Sequence, residues 1–380
     1  MIWFVKYFLS KIISFSLLPL YLFPINKKKV LFISYGGAQY SCNPKYISEY
    51  LQYNYKGKYK LIWVFKNPED FNFLDSSIEK VKYLSFMHFY HVITSQVCIT
   101  NMGFNKFFFV RNSQRFIQTW HGGGAYKKSG KTLDKNFFQY LLNRQHDDMV
   151  TDFISSSQYF TDYFIRDLSY KNNILNIGMP RNSFILKHND NLILKNSIKR
   201  RIDDSYDTNK FYILYAPTWR DKQSSYELPD FTKISNLLKD KIGKEIIILF
   251  RSHHFHSINI NQFSKNCIDV TNYPDMQELL LISDMLISDY SSCIWDFSLL
   301  YKPCFLYTPD LSKYDNCRGF YVDIFKWGFP VCVDRNSLEN EIEFFNEEMY
   351  RAGINSMHKR FCSFERIDSC EQLINEIGLL

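Results

Sequence analysis

Beyond residue 29 the chain alternates short apolar runs with longer amphipathic stretches, the rhythm of a parallel sheet covered by helices on both faces. In the first half this predicts strands at Val30 to Ser34, Leu61 to Phe65, Val81 to Leu84, Val97 to Thr100, Phe116 to Trp120, Phe153 to Ser155 and Ile174 to Ile177. Helices are predicted at Asn43 to Tyr53 and Gln158 to Leu168. A polar, charge-rich stretch from Lys187 to Lys210 then breaks the rhythm, which resumes at Phe211 to Tyr215, Glu245 to Phe250, Ile268 to Val270, Met285 to Ser288 and Cys304 to Tyr307, with a helix from Ser291 to Tyr301. The expected fold is therefore α/β, with one Rossmann-like domain over 29–205 and a second over 206–380. Open α/β sheets bind ligands beyond the carboxyl ends of their strands, so two such domains place the expected site in the cleft between them.

The amino-terminal segment follows a different pattern. From Met1 to Ile25 it is strongly apolar, interrupted by Lys6 and Lys11 and closed by Lys27, Lys28 and Lys29. The uncharged stretch from Ile12 to Ile25 falls short of the roughly 20 residues a membrane span needs, and Pro19 and Pro24 break it further. No small-residue cleavage site follows it, as a signal peptide would require. Residues 1–28 are expected to lie in a membrane interface, lysines toward anionic headgroups; the alternative is an ordinary buried first helix.

Composition narrows the function classes. With 380 residues, 46% hydrophobic and 18% aromatic, the chain has ample core for two domains, which excludes a disordered protein. Its net charge of +7 suits phosphate-bearing ligands or an anionic membrane, and no basic arm or finger motif points to nucleic acid. The nine cysteines are scattered without a CxxC pair, so neither a zinc site nor a disulfide framework is expected, and free thiols fit the cytoplasm. No metal and no cofactor are expected.

The chemistry gathers at strand ends. Gln118, Thr119, Trp120, His121, Gly122, Gly123 and Gly124 deliver an imidazole into three glycines, a group that titrates near neutrality beside backbone N–H groups open to an anion. The alternative is a tight turn with a solvent-facing histidine. Ser34, Tyr35, Gly36 and Gly37 form a glycine turn after the opening strand, and Asn43 before Pro44 reads as a helix cap or a ligand group. In the second half, Arg220 ends the run Tyr215, Ala216, Pro217, Thr218, Trp219, and Arg251 precedes Ser252, His253 and His254, cations suited to phosphate. Adjacent histidines splay apart on extended backbone, which argues against His253, His254 and His256 as a metal site. Asp289, Tyr290, Ser291 and Ser292 turn a strand into a helix, giving either an anion site of hydroxyls and N–H groups or simple serine capping. Phe104, Phe107, Phe108 and Phe109 with Lys106 and Arg111 read as a buried strand pair or as a membrane or acceptor contact.

Together these runs resemble the CDP-glycerol glycerophosphotransferase family of teichoic acid and capsule polymer enzymes. The matching residues are Asn43 to Ile47, Gln118 to Gly122, Gly178 to Asn182, Ala216 to Arg220, Arg251 to His253, Asp289 to Ser292 and Arg318 to Phe320. The resemblance implies a GT-B arrangement and transfer of an alditol phosphate, glycerol phosphate above all, from a CDP-linked donor to a hydroxyl of an undecaprenyl-linked acceptor at the inner membrane face. His121 and His253 are the expected catalytic residues, His121 as the base, with His253, Arg251, Ser291, Ser292, Asp289, Arg220 and Arg318 serving the donor pyrophosphate; Asp289 is expected to orient an imidazole or hold a donor hydroxyl. Trp120, Gly122, Asn43, Pro180 and Arg181 are further family positions. The chain departs from the family at Gly123 and Gly124, where a Thr or Ser and then Pro are usual, and at Ser183, where Asp is common. It also lacks the long amino-terminal extension of some polymerising members, which suits a compact priming or capsule-polymer enzyme. The rival readings are a GT-B glycosyltransferase using a nucleotide sugar and a non-catalytic scaffold that binds lipid-linked polymer.

Overall fold

The computed structural model describes residues 2–124, 128, 137–168, 170–218, 227–251 and 266–379, of which 145–146 and 315–318 are described by backbone alone. The chain forms two compact units, one of Met1–Gly123, Ser129–Phe184 and Ser363–Leu380, the other of Gly124–Lys128 and Ile185–Cys362.

The first unit is built on β1 (Asn26–Ile33), β2 (Lys60–Phe65), β3 (Glu79–Lys82), β4 (Ser95–Thr100), β5 (Arg115–Gln118), β6 (Asp152–Ile154) and β7 (Asn173–Leu175). They pair in the order β3-β2-β1-β4-β5-β6-β7, and every pairing is parallel. Val30 to Ile33 and Leu61 to Phe65 are buried without alternation, because helices cover both faces of an all-parallel sheet. The chain runs outward from β1 to β3 and then returns to β4 on the other side of β1. That reversal leaves a crevice beyond the carboxyl ends of β1 and β4.

The second unit repeats the plan with β8 (Lys210–Ala216), β9 (Glu245–Phe250), β10 (Cys267–Asp269), β11 (Met285–Ser288), β12 (Cys304–Tyr307) and β13 (Val331–Cys332). The order is β10-β9-β8-β11-β12-β13, again wholly parallel. Ile213, Tyr215, Ile248, Phe250, Ile287 and Phe305 form its core with Phe231, Ile234 and Leu238 of one covering helix. Its reversal falls between β8 and β11.

Several expectations need correcting. Residues 185–205 join the second unit: the helix Leu192–Ile202 buries Ile198 and packs on Met276–Ile282, and Asp203 meets Lys210 at 2.9 Å with both side chains 4% exposed. Ser363–Leu380 returns to the first unit, where Phe364 N donates to Ser156 O at 2.8 Å and the helix Ser369–Glu376 packs on Cys42–Asn54. The expected ranges 29–205 and 206–380 therefore exchange their ends. β3 lies earlier than expected, β5 stops at Gln118, and the two-residue β13 is too short to leave a pattern. The phenylalanine-rich segment is no strand: Phe104, Phe107 and Phe108 are buried, and Arg111 ties it down through the carbonyls of Tyr21, Phe23 and Ile93.

Residues 1–28 belong to the first unit, held by Ser14 Oγ donating to Phe107 O at 2.8 Å and by Phe4 edge-on to Phe138 at 5.0 Å. The helix Ile2–Ser16 is inverted relative to a core helix. Its buried residues are Ser10 and Ser14, while Val5, Leu9, Ile12 and Phe15 are exposed, so it is not an ordinary buried helix. Among the described residues no helix is long and apolar enough to cross a membrane. The eight described cysteines are all free thiols.

Candidate active site

In the first unit the crevice is closed at its base by Asn101, which directly follows β4. Its buried side chain accepts from Tyr35 N at 2.8 Å and donates to Ser34 Oγ at 3.4 Å, joining the loops after β1 and β4. The loop after β1 turns through Gly37 at φ +83, where a Cβ would press to 3.1 Å from Lys66 N, so glycine is required there. β5 lies on the far side of β4, and Thr119 N still pairs with Thr100 O at 2.8 Å. Trp120 then leaves the strand at φ +54 and turns His121 back over the crevice.

The His121 Nδ1 atom lies 2.9 Å from the Asn101 carbonyl oxygen. A carbonyl only accepts, so Nδ1 carries the hydrogen and Nε2 of the neutral ring keeps its lone pair. Burial lowers the pKa of His121 below the ordinary histidine value; the bond to Asn101 opposes this, and the nearby Arg181 charge adds to it. The ring is therefore neutral at pH 7, with a basic nitrogen to offer. Trp120 stacks against it with centroids 4.6 Å apart. A solvent-facing histidine on a plain turn does not describe this geometry.

Arg181 follows Pro180 at the start of the helix Pro180–His188, where the missing proline N–H is harmless. It is 3% exposed, and its guanidinium donates to Cys42 Sγ at 3.2 Å. Asn43 is not the cap the sequence suggests: the helix Cys42–Asn54 is preceded by Ser41, and Asn43 turns inward. Its Nδ2 donates to the carbonyls of Thr119 and Trp120 at 3.2 and 3.0 Å, and its Oδ1 accepts from Arg181 N at 3.0 Å. Gly122 is buried, and the Gly123 carbonyl accepts from the Ser156 hydroxyl, which latches the loop after His121. Ser183, off the family pattern, donates to Arg366 O at 3.1 Å and so helps seat the returning carboxyl-terminal segment.

In the second unit Asp289 sits at the equivalent reversal, fully buried. Both its oxygens accept from Thr218 N at 2.9 Å and one accepts the Thr218 hydroxyl, while Ser288 Oγ donates to Ala216 O at 2.6 Å. Asp289 thus clamps the ends of β8 and β11 together, a structural duty the sequence reading did not assign it. The helix after it, Cys293–Ser298, is shorter than expected and opens with a stretched 3.5 Å bond from Ile294 N to Ser291 O. Ser292 precedes it without a side-chain capping bond, so capping does not explain that serine. Arg251 follows β9, and its guanidinium donates to the carbonyls of Val270 and Tyr273 at 3.3 and 2.8 Å, which hold it at the strand end.

His253, His254, His256, Trp219 and Arg220 lie outside the described residues, and Arg318 is described by backbone alone. Among the described residues no cluster of three or more His, Cys, Asp or Glu has the arrangement of a metal site. Sequence reasoning missed Asn101, Ser156 and Glu365. Asn101 carried a signal, a polar residue directly after a buried strand. Glu365 carried none: its carboxylate accepts from Met179 N at 3.0 Å across 186 positions of sequence.

Two all-parallel sheets in the doubly wound order, each with polar residues at its strand reversal, define an α/β protein of the nucleotide-binding type. More particularly, the chain belongs to the CDP-glycerol:poly(glycerophosphate) glycerophosphotransferase family, whose model matches residues 15–379. It is 33% identical over 375 residues to a teichoic acid poly(glycerol phosphate) polymerase of Bacillus spizizenii, covering 94% of this chain and 93% of that one. It is 29% identical over 368 residues to a teichoic acid glycerol-phosphate transferase of Staphylococcus aureus, covering 93% of each. Among solved structures it matches the wall teichoic acid polymerase TagF, in a histidine-to-asparagine variant soaked with CDPG, with a TM-score of 0.82, 28% identity and coverage of 99% and 98%.

Proposed function

We propose that this protein transfers glycerol phosphate from a CDP-linked donor to a hydroxyl of a lipid-linked teichoic acid or capsule acceptor. His121 Nε2 takes the proton of the attacking hydroxyl as its oxygen bonds to the alditol-bearing phosphorus. The bond from that phosphorus to the bridging oxygen breaks, and CMP leaves. Phosphoryl transfer asks a protein mainly for positioning and charge stabilisation, which Arg251, Ser291 and Ser292 supply for the donor, joined by His253, Arg220 and Arg318. This reading takes the two units as a GT-B pair, the first serving the acceptor and the second the CDP donor. The observation that carries it is His121 at a strand reversal, its Nδ1 held 2.9 Å from the Asn101 carbonyl so that Nε2 is left to take a proton, in a chain of this family.

The test offers CDP-glycerol, CDP-ribitol and UDP-sugars separately with a short lipid-linked acceptor and follows release of CMP or UDP. CMP release from CDP-glycerol, falling about 100-fold or more in His121→Ala, is expected for a lost general base. UDP release would favour the glycosyltransferase, and turnover of no donor would favour the scaffold.

The protein works at the inner membrane face, anchored by the helix Ile2–Ser16. At about 1.5 Å per residue its 15 residues reach only some 22 Å, short of a bilayer core, and its exposed apolar side suits an interfacial position. Lys6 and Lys11 fold over Trp3 and Tyr7, at 4.8 and 5.3 Å, as cations beside an interfacial aromatic belt. Ile12→Glu with Phe15→Glu is expected to release the protein from anionic vesicles in a flotation assay; undiminished flotation would refute the anchor.

A further inference from the structure

We propose that Asn43 is the positioning residue of His121, holding the backbone turn that aims the imidazole; the proposal rests on His121 being the base. Trp120 is a bulky residue in the left-handed region, at φ +54, where an L side chain crowds its own backbone. Left alone, the chain would relax by rotating the peptides on either side of it. Those two peptides end in the carbonyls of Thr119 and Trp120, and Asn43 Nδ2 donates to both, at 3.2 and 3.0 Å. One amide group therefore pins both flanking peptides of the strained residue.

The amide itself has no freedom. Asn43 is fully buried, and its Oδ1 accepts from Arg181 N at 3.0 Å, which leaves Nδ2 as the group that faces the carbonyls. Gln118 completes the turn, its Oε1 accepting from Trp120 N at 3.0 Å. Beyond the turn the ring is met by the Asn101 carbonyl at Nδ1. His121 is thus aimed by its own backbone on one side and fixed in tautomer on the other. Asn43 acts through the backbone of Trp120, while the Arg181 charge helps hold the imidazole pKa down.

The test uses the full chain, CDP-glycerol and a short glycerol-phosphate-primed lipid acceptor, with CMP release read against pH. Asn43→Asp keeps the shape and the acceptor for Arg181 N but sets an oxygen against the two carbonyls, and Asn43→Ser removes the reach. Both are expected to lower kcat at least 30-fold with KM for CDP-glycerol within threefold, and to move the acid limb of the kcat profile toward that of an ordinary histidine. If both fail to fold, Gln118→Leu, which frees Trp120 N, is expected to show the same signature. Variants with kcat within threefold of the parent, or with kcat lost but the acid limb unmoved, overturn the positioning role. Retained activity in His121→Ala would overturn the base assignment instead, so the two failures are distinguishable.

Discussion

Replacing Gly178 with alanine would drive a Cβ to 2.7 Å from the Phe364 carbonyl oxygen and 2.8 Å from Glu365 Cα. Both are backbone atoms of the carboxyl-terminal segment, so neither can rotate away as a side-chain tip would. Gly178 also sits at φ +76, where an L residue pays about 1–2 kcal/mol in strain. Overpacking adds about 1–3 kcal/mol, and retreat of the segment would break the 3.0 Å bond from Met179 N to Glu365, worth about 1 kcal/mol. These terms overlap, so the expected loss is about 3 kcal/mol, or roughly 6–12 °C in the melting of a unit of this size. The control is Gly123→Ala, whose Cβ would meet Ser156 at 3.4 Å and Glu365 Oε1 at 3.6 Å, ordinary contacts at an ordinary φ. That variant is expected to melt within about 2 °C of the parent. Calorimetry of the full chain decides: a Gly178→Ala melting point within about 2 °C of the parent, or equal shifts in both variants, would refute the reasoning.

Four further outcomes are expected. Arg115 grips the buried Asp152 carboxylate at 2.7 and 2.5 Å, so Arg115→Met strands a buried charge and should lower stability by about 3 kcal/mol in urea titration; an unchanged midpoint would show that Thr151 and Asn173 hold Asp152 unaided. The lowered pKa of His121 means the folded protein binds its proton less readily than the unfolded chain, so stability falls as pH drops from about 6.5 through the folded pKa. The same shift places the acid limb of kcat below about 6.5, and a limb above 7 would contradict a half-buried base held neutral. Asp289→Asn removes an acceptor from Thr218 and should cost about 1–3 kcal/mol while raising KM for CDP-glycerol; unchanged melting would show that Asp289 does not clamp the crevice.

Much of this protein is legible in its sequence because a strand buried on both faces has to be apolar along its length. Val30 to Ile33, Ile246 to Phe250 and Cys304 to Tyr307 announce themselves in that way, and the polar residues that end such runs mark where a doubly wound sheet does its chemistry. That rule points to His121 and Asp289 as candidates, each just beyond a strand of its sheet. It does not point to their partners. Asn43 reads as a cap because Asn before Pro suits a helix start, yet its amide serves two carbonyls some 76 positions away. The inverted helix Ile2–Ser16 reads as apolar, but only packing decides that its serines face inward and its large residues face out.

The sequence by itself determines the two-fold repeat of a parallel sheet and the strand ends that carry histidine, arginine and serine, since hydrophobic periodicity is a local property of the chain. Only the tertiary structure decides that Asn101 fixes the His121 tautomer, that Asn43 holds the turn before it, and that Glu365 returns from the far end to seat Met179. Those are hydrogen bonds between buried and half-buried groups, and their partners are chosen by which strand ends and helix starts the fold brings within about 3 Å.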